Sequence, residues 1–196
     1  MKPPLRHAAI STDVNQSRRS FLMSSAGVAT ALATAGLAGC QSAPGDRELT
    51  FTSFAAAEEE IARLMAAKEL VSEAQWSLAQ TLAHCAQSIE YSMIGYPQPK
   101  SKFFQSTAGA AAFEAFSWRG RMTHDLAEPI PGAPELEAGL EPVAALERLQ
   151  TAVQSFQQWR GLMRPHFAYG DLGKKEYELV HSMHLANHLS FFDAKS

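Results

Sequence analysis

The chain has 196 residues, 46% of them hydrophobic, and 17 lysines and arginines stand against 20 aspartates and glutamates, a net charge of −3. That balance argues against a nucleic-acid partner, which calls for a basic surface. Two cysteines, Cys40 and Cys85, are too few for a disulfide-stapled scaffold.

The first residues carry an address. Ser17-Arg18-Arg19-Ser20-Phe21-Leu22 reads as a twin-arginine export signal. The Ala-, Gly- and Ser-rich stretch from Met23 to Gly39 has the length of a membrane span but too little Leu, Ile and Phe for a permanent one. It closes on Leu37-Ala38-Gly39-Cys40, the pattern of a lipobox, so cleavage before Cys40 would leave a diacylglycerol on that sulfur. The competing reading is soluble export with cleavage after Ala35. Residues 1–39 hold Lys2, Arg6, Arg18 and Arg19 against Asp13, so their removal takes the net charge from −3 to −6. With Cys40 lipidated, no intramolecular disulfide can form. The expected organisation is a signal over 1–39, a tether over 40–50 and a folded domain over 51–196. That domain would lie on the periplasmic side of the envelope and touch the membrane through its lipid alone.

Within the domain, helical periodicity dominates and no strand-like alternation persists. Phe54, Ile61, Leu64, Met65 and Lys68 predict a first helix over about 53–70. Ser77 with Gln80 forms a capping box that opens a second helix over about 77–94, with Leu78, Leu82, Cys85, Ile89 and Met93 as its apolar stripe. Pro97 and Pro99 make a turn, and an Ala-rich helix follows from Thr107 to Arg121. Pro142 sits at the first turn of a third long helix, whose buried face is Leu146, Leu149, Val153 and Phe156. Gly173 and Glu176 begin the last helix, which runs to about Phe192. The expected fold is all-α: a four-helix bundle with a long crossover, containing a short helix, between helices 2 and 3.

The last helix carries the chemistry. His181, His184 and His188 share one narrow face, with Tyr177 one turn earlier on the same line. Neutral imidazole is the commonest protein ligand for zinc and its neighbours, so this face is half of a metal site. A third ligand must come from another element if an ion is to be enclosed. His84 is a candidate, although its place beside Gln80, Gln87, Ser88 and Tyr91, away from the apolar stripe, would also suit a solvent-facing histidine.

Trp76-Ser77-Leu78-Ala79-Gln80 leading to His84, then His166-Phe167-Ala168-Tyr169-Gly170 and His184-Leu185-Ala186-Asn187-His188-Leu189, resemble the DinB/YfiT-like superfamily of metalloenzymes. They are closest to a branch still classed as a domain of unknown function and often found behind export signals. The resemblance covers roughly residues 48–193. It implies that His84, His184 and His188 hold one divalent metal, zinc first, with nickel, iron and manganese as alternatives. Asn187 stands where many relatives of the branch show a further histidine. His181 and Tyr177 would then be outer-shell partners or an extra ligand.

Other residues read more plainly. Cys85 points to the apolar stripe and reads as a buried thiol. Arg119, Arg121 and His124 read as a solvated helix end, with an anion grip as the alternative. His124 and His166 fall outside the metal set. Phe103, Phe104, Phe113, Phe116 and Trp118 are expected to pack the crossover onto the bundle. Glu58-Glu59-Glu60 reads as an exposed run beside the first helix's apolar face. Two function classes follow. One is a metal-dependent hydrolase or thiol-dependent transferase acting on a small molecule, and the other a non-catalytic envelope lipoprotein that binds metal or a small ligand. Neither fixes an oligomeric state.

Overall fold

The computed structural model describes residues 43–195. The twin-arginine motif and Cys40 lie outside the described residues. Helix α1 (Phe54–Met65) buries Phe54, Ala57, Ile61 and Leu64, the one-sided spacing of an amphipathic helix. It stops at Met65, short of the expected end near residue 70. The chain then enters a strand, β1 (Glu69–Ser72), which pairs antiparallel with β2 (Phe192–Lys195), Glu69 opposite Lys195 and Ser72 opposite Phe192. Four residues are too few for alternation to show in a sequence, and the partner lies at the far end of the chain.

Helix α2 (Leu78–Ile94) starts at the capping box: Gln80 N–H donates to Ser77 Oγ at 3.2 Å and Ser77 N–H to Gln80 Oε1 at 3.1 Å. A short α3 (Lys102–Phe104) passes through a π-helical turn, Gln105–Gly109, into α4 (Ala110–Arg119), so the Ala-rich helix begins earlier than Thr107 and ends at Gly120 in the left-handed region. Helix α5 (Pro142–Gln158) opens on its proline and buries Ala145, Leu149, Ala152, Val153 and Phe156. Helix α6 (Lys174–Leu189) opens where Glu176 Oε2 accepts the Gly173 N–H at 2.6 Å. It ends at Leu189, before the expected Phe192, because Phe192 belongs to β2 and is buried in the core.

The domain is thus mostly helical with one small two-stranded sheet. Helix α2 packs chiefly on α5, while α6 lies against both α1 and α2. From Val180 to Leu189 every residue of α6 is buried, as is nearly all of α2. No helix among the described residues is long and apolar enough to cross a membrane. Phe113 and Phe116 pack on the core as expected, but Phe103, Phe104 and Trp118 are exposed. Arg47 reaches Glu60 and the Leu189 carbonyl, and Arg121 reaches Asp46 and Glu48, so residues 46–48 are strapped to three elements. Glu60 therefore leaves the exposed acidic run and joins an ion-pair network with Arg47 and Arg63.

The π-helical turn is pressed onto the loop over residues 166–170. Gln105 Nε2 donates to the carbonyls of His166 and Phe167, each at 3.2 Å, and a Cβ on Gly109 would meet the Ala168 carbonyl at 2.0 Å. Only glycine allows that approach. Gly109→Ala should therefore lower stability by about 1–3 kcal/mol through overpacking. A urea-unfolding midpoint equal to that of the unsubstituted protein would show that the two segments do not touch.

Candidate metal centre

Helices α2 and α6 bring three histidines to one point. His84 comes from α2, and His184 and His188 from successive turns of α6. All three are buried, with one nitrogen of each inside a cluster no wider than 4.8 Å. His84 Nε2 lies 3.2 Å from His184 Nε2, which lies 3.1 Å from His188 Nε2. The nitrogens of a tetrahedral zinc shell, ~2.0–2.1 Å from the ion, stand about 3.3–3.4 Å apart, so the spacing is close to that of a ligand set. Hydrogen bonding alone serves it poorly. His184 Nε2 has either one proton to donate or one lone pair to accept with, and so satisfies one of its two neighbours. A cation takes all three lone pairs. Three buried imidazoles so placed could hold a metal ion.

Electrostatics keep these rings in the ligating form. Burial pulls the His84 pKa from 6.5 down to about 3, with the nearby His124 adding to the shift. Burial and mutual repulsion hold His184 and His188 well below the usual range as well. Neutral imidazole is the species a metal needs. His84, whose place on its helix face alone reads as solvent-facing or hydrogen-bonded, is 3% exposed.

Trp76 was missed as a site residue. Its ring stacks on His188 at 6.1 Å and 12° and tilts over His84 at 4.9 Å. It is brought there by β1, whose pairing with β2 ties the segment before α2 to the end of α6. His124 was also misplaced, since its ring lies 5.0 Å from both His184 and His188 and not at a solvated helix end. Arg121 is not available to a substrate, because Asp46 and Glu48 hold it. Arg119 is exposed. Cys85 is buried as expected, and burial pushes its thiol pKa up, away from nucleophilic use.

The site opens on a cavity of about 280 Å³ that reaches His84, His124 and His184. Its other walls are mainly apolar, with Met122, Ile130 and Phe167 among them, and Lys100 and Glu128 add charge. The His166–Gly170 motif supplies one wall as a tight loop closed by two backbone hydrogen bonds, His166 N–H to Gly170 O at 2.7 Å and Gly170 N–H to His166 O at 3.1 Å. His166 Nδ1 accepts the amides of Ala168 and Tyr169, so its proton sits on Nε2, a donor on the cavity wall. His181, one turn before His184, is enclosed by Phe54, Phe156 and Tyr177, and neither of its ring nitrogens has a hydrogen-bond partner among the described residues. Tyr177 stacks on His181 and donates its hydroxyl to the Arg164 carbonyl at 2.6 Å. The Asn187 amide nitrogen is likewise buried without a partner.

A family model described as "Protein of unknown function (DUF1569)" matches residues 44–195. The chain belongs to this family. The match takes in both strands, the His166–Gly170 loop and all three clustered imidazoles of this DUF1569 member. No curated protein and no solved structure matches the chain.

Burial also makes the domain acid-sensitive. His166 and His181 are both pulled down from 6.5 to about 3 by burial, so the fold keeps them neutral where the unfolded chain protonates them. Their contribution is complete above pH 6.5 and is lost as pH falls from there towards 3. At pH 5 each should cost about 2 kcal/mol. Urea midpoints of the chelator-treated protein at pH 7.5 and 5.0, compared between the unsubstituted chain and His181→Leu, should show a flatter pH dependence in the variant. Equal pH dependences would mean that His181 takes up its proton without unfolding.

Proposed function

We propose that this chain is an exported, lipid-anchored metalloprotein of the DinB-like superfamily, its four long helices forming a bundle with the α3–α4 segment in the crossover. One divalent ion is held by His84, His184 and His188. The observation that carries this reading is the convergence of three buried, neutral imidazoles at ligand spacing. An all-imidazole donor set suits zinc, nickel or iron far better than magnesium or calcium. Such an ion supplies a Lewis acid that polarises a carbonyl or acidifies a water or thiol.

The chain's own residues do the rest. The apolar cavity admits a small molecule and limits water, and the His166 Nε2–H offers it a hydrogen bond. His181 and Tyr177, on the same helix face as His184, support that helix from below. This arrangement favours metal-dependent hydrolysis or thiol-dependent transfer. A non-catalytic metal or small-ligand binder is the second reading, favoured by the exposure of Glu128, the one carboxylate on the cavity wall. An ion with a solvent-exchangeable position supports the enzyme, and a saturated ion the binder.

The purified protein should hold about one divalent ion. His84→Ala and His188→Ala should each lower occupancy at least about tenfold at limiting metal. Wild-type occupancy in both variants would reject the trio, and a metal-free wild type under metal-replete conditions would reject the metalloprotein reading. For the anchor, Cys40→Ser should move the folded domain from the membrane to the soluble fraction. Unchanged fractionation would remove the lipoprotein part.

A further inference from the structure

A fourth histidine ring stands beside the trio. His124 lies 5.0 Å from His184 and 5.0 Å from His188 between ring centroids, and the trio's own rings are separated by 5.0, 4.9 and 4.8 Å. Its nitrogens fall outside the 4.8 Å cluster, so it is the outlying member of the group. It comes from a third part of the chain, the irregular segment after α4. That segment is fixed just ahead of the ring: Gly120 turns the chain in the left-handed region, the Asp46 and Glu48 carboxylates hold Arg121, and Met122 is buried.

The hydrogen bonding of His124 sets its tautomer. Nδ1 lies 2.8 Å from the Asp125 carbonyl, which can only accept, so Nδ1 carries the proton and Nε2 carries the lone pair. That Nε2 is buried and has no hydrogen-bond partner among the described residues. A ring nitrogen that donates to a backbone carbonyl while the other keeps a free lone pair is the usual state of a histidine bound to a metal. The ring also lines the cavity together with His84 and His184, so it stands on the side from which the trio is open.

We propose that His124 is a fourth imidazole ligand of the metal centre, recruited from the α4–α5 segment when a borderline divalent cation such as zinc, cobalt or nickel binds the trio. The proposal rests on the trio being the metal site. Four imidazoles would select such cations over the harder magnesium and calcium. They would also tie the α4–α5 segment, and through Arg121 the residues 46–48, to the ion.

The test uses the purified full chain, stripped of metal and reloaded. X-ray absorption of the zinc-loaded protein counts the imidazoles, and visible absorption during a cobalt titration gives affinity and coordination. Two variants are compared, His124→Ala and His124→Asn; the asparagine amide keeps a donor for the Asp125 carbonyl but cannot reach the ion. The wild type should fit four imidazoles, and both variants should bind one ion with three and a Kd raised at least about tenfold. Variants that match the wild type in imidazole count and Kd would overturn the proposal. If they match while His84→Ala and His188→Ala lose the ion, the trio stands and His124 alone is wrong. If His84→Ala and His188→Ala also keep it, or the wild type binds none, the trio and the fourth ligand fall together.

Discussion

The cost of burying three imidazoles at one point governs this structure. Each ring is neutral because it is desolvated, and each presents a nitrogen to the same small volume, so the lone pairs repel unless something positive lies between them. No set of tautomers satisfies both of the close contacts at His184 Nε2. The surrounding core must hold the rings in place against that repulsion. It does so with α6 buried from Val180 to Leu189, α2 packed along α5, and the β1–β2 pair fastening the segment before α2 to the end of α6.

This demand explains why parts of the fold were legible in the sequence and others were not. Local signals read well: the Ser77–Gln80 capping box, Pro142 at the start of α5 and Glu176 at the start of α6 all stand where local backbone chemistry puts them. Helix α6 did not show a clean apolar stripe, because His181, His184, Asn187 and His188 occupy interior positions that a hydrophobic pattern assigns to solvent. Its polarity marks a buried polar cluster instead of exposure. Strands β1 and β2 were invisible for another reason, since each is only four residues long and is made by pairing across almost the whole domain.

The site divides along the same line. His184 and His188 could be paired from their spacing on one helix. His84 needed a family resemblance, because Gln80, Gln87 and Ser88 lie beside it on the helix face and only tertiary packing of α2 on α6 encloses it. Trp76 and His124 were out of reach, since both lie in irregular segments where no period indicates which way a side chain faces. A tryptophan two residues ahead of α2's first turn, or a histidine after a left-handed glycine, carries no local signal of a ring stacked against a distant helix.

The cavity gives the centre its direction. It reaches His84, His124 and His184 but does not include His188, which Trp76 covers on another side. An ion held by the trio would thus have the Trp76 ring on one side, over His84 and His188, and would face the cavity, with His124 on its wall, on the other. The two sides serve different needs. The aromatic side would shield the ligands from water, while the cavity side is lined by the apolar Met122, Ile130 and Phe167. His166 adds a fixed N–H donor to that wall, held in its tautomer by the amides of Ala168 and Tyr169. One polar group of a molecule in that cavity could therefore be oriented without any movement of the backbone.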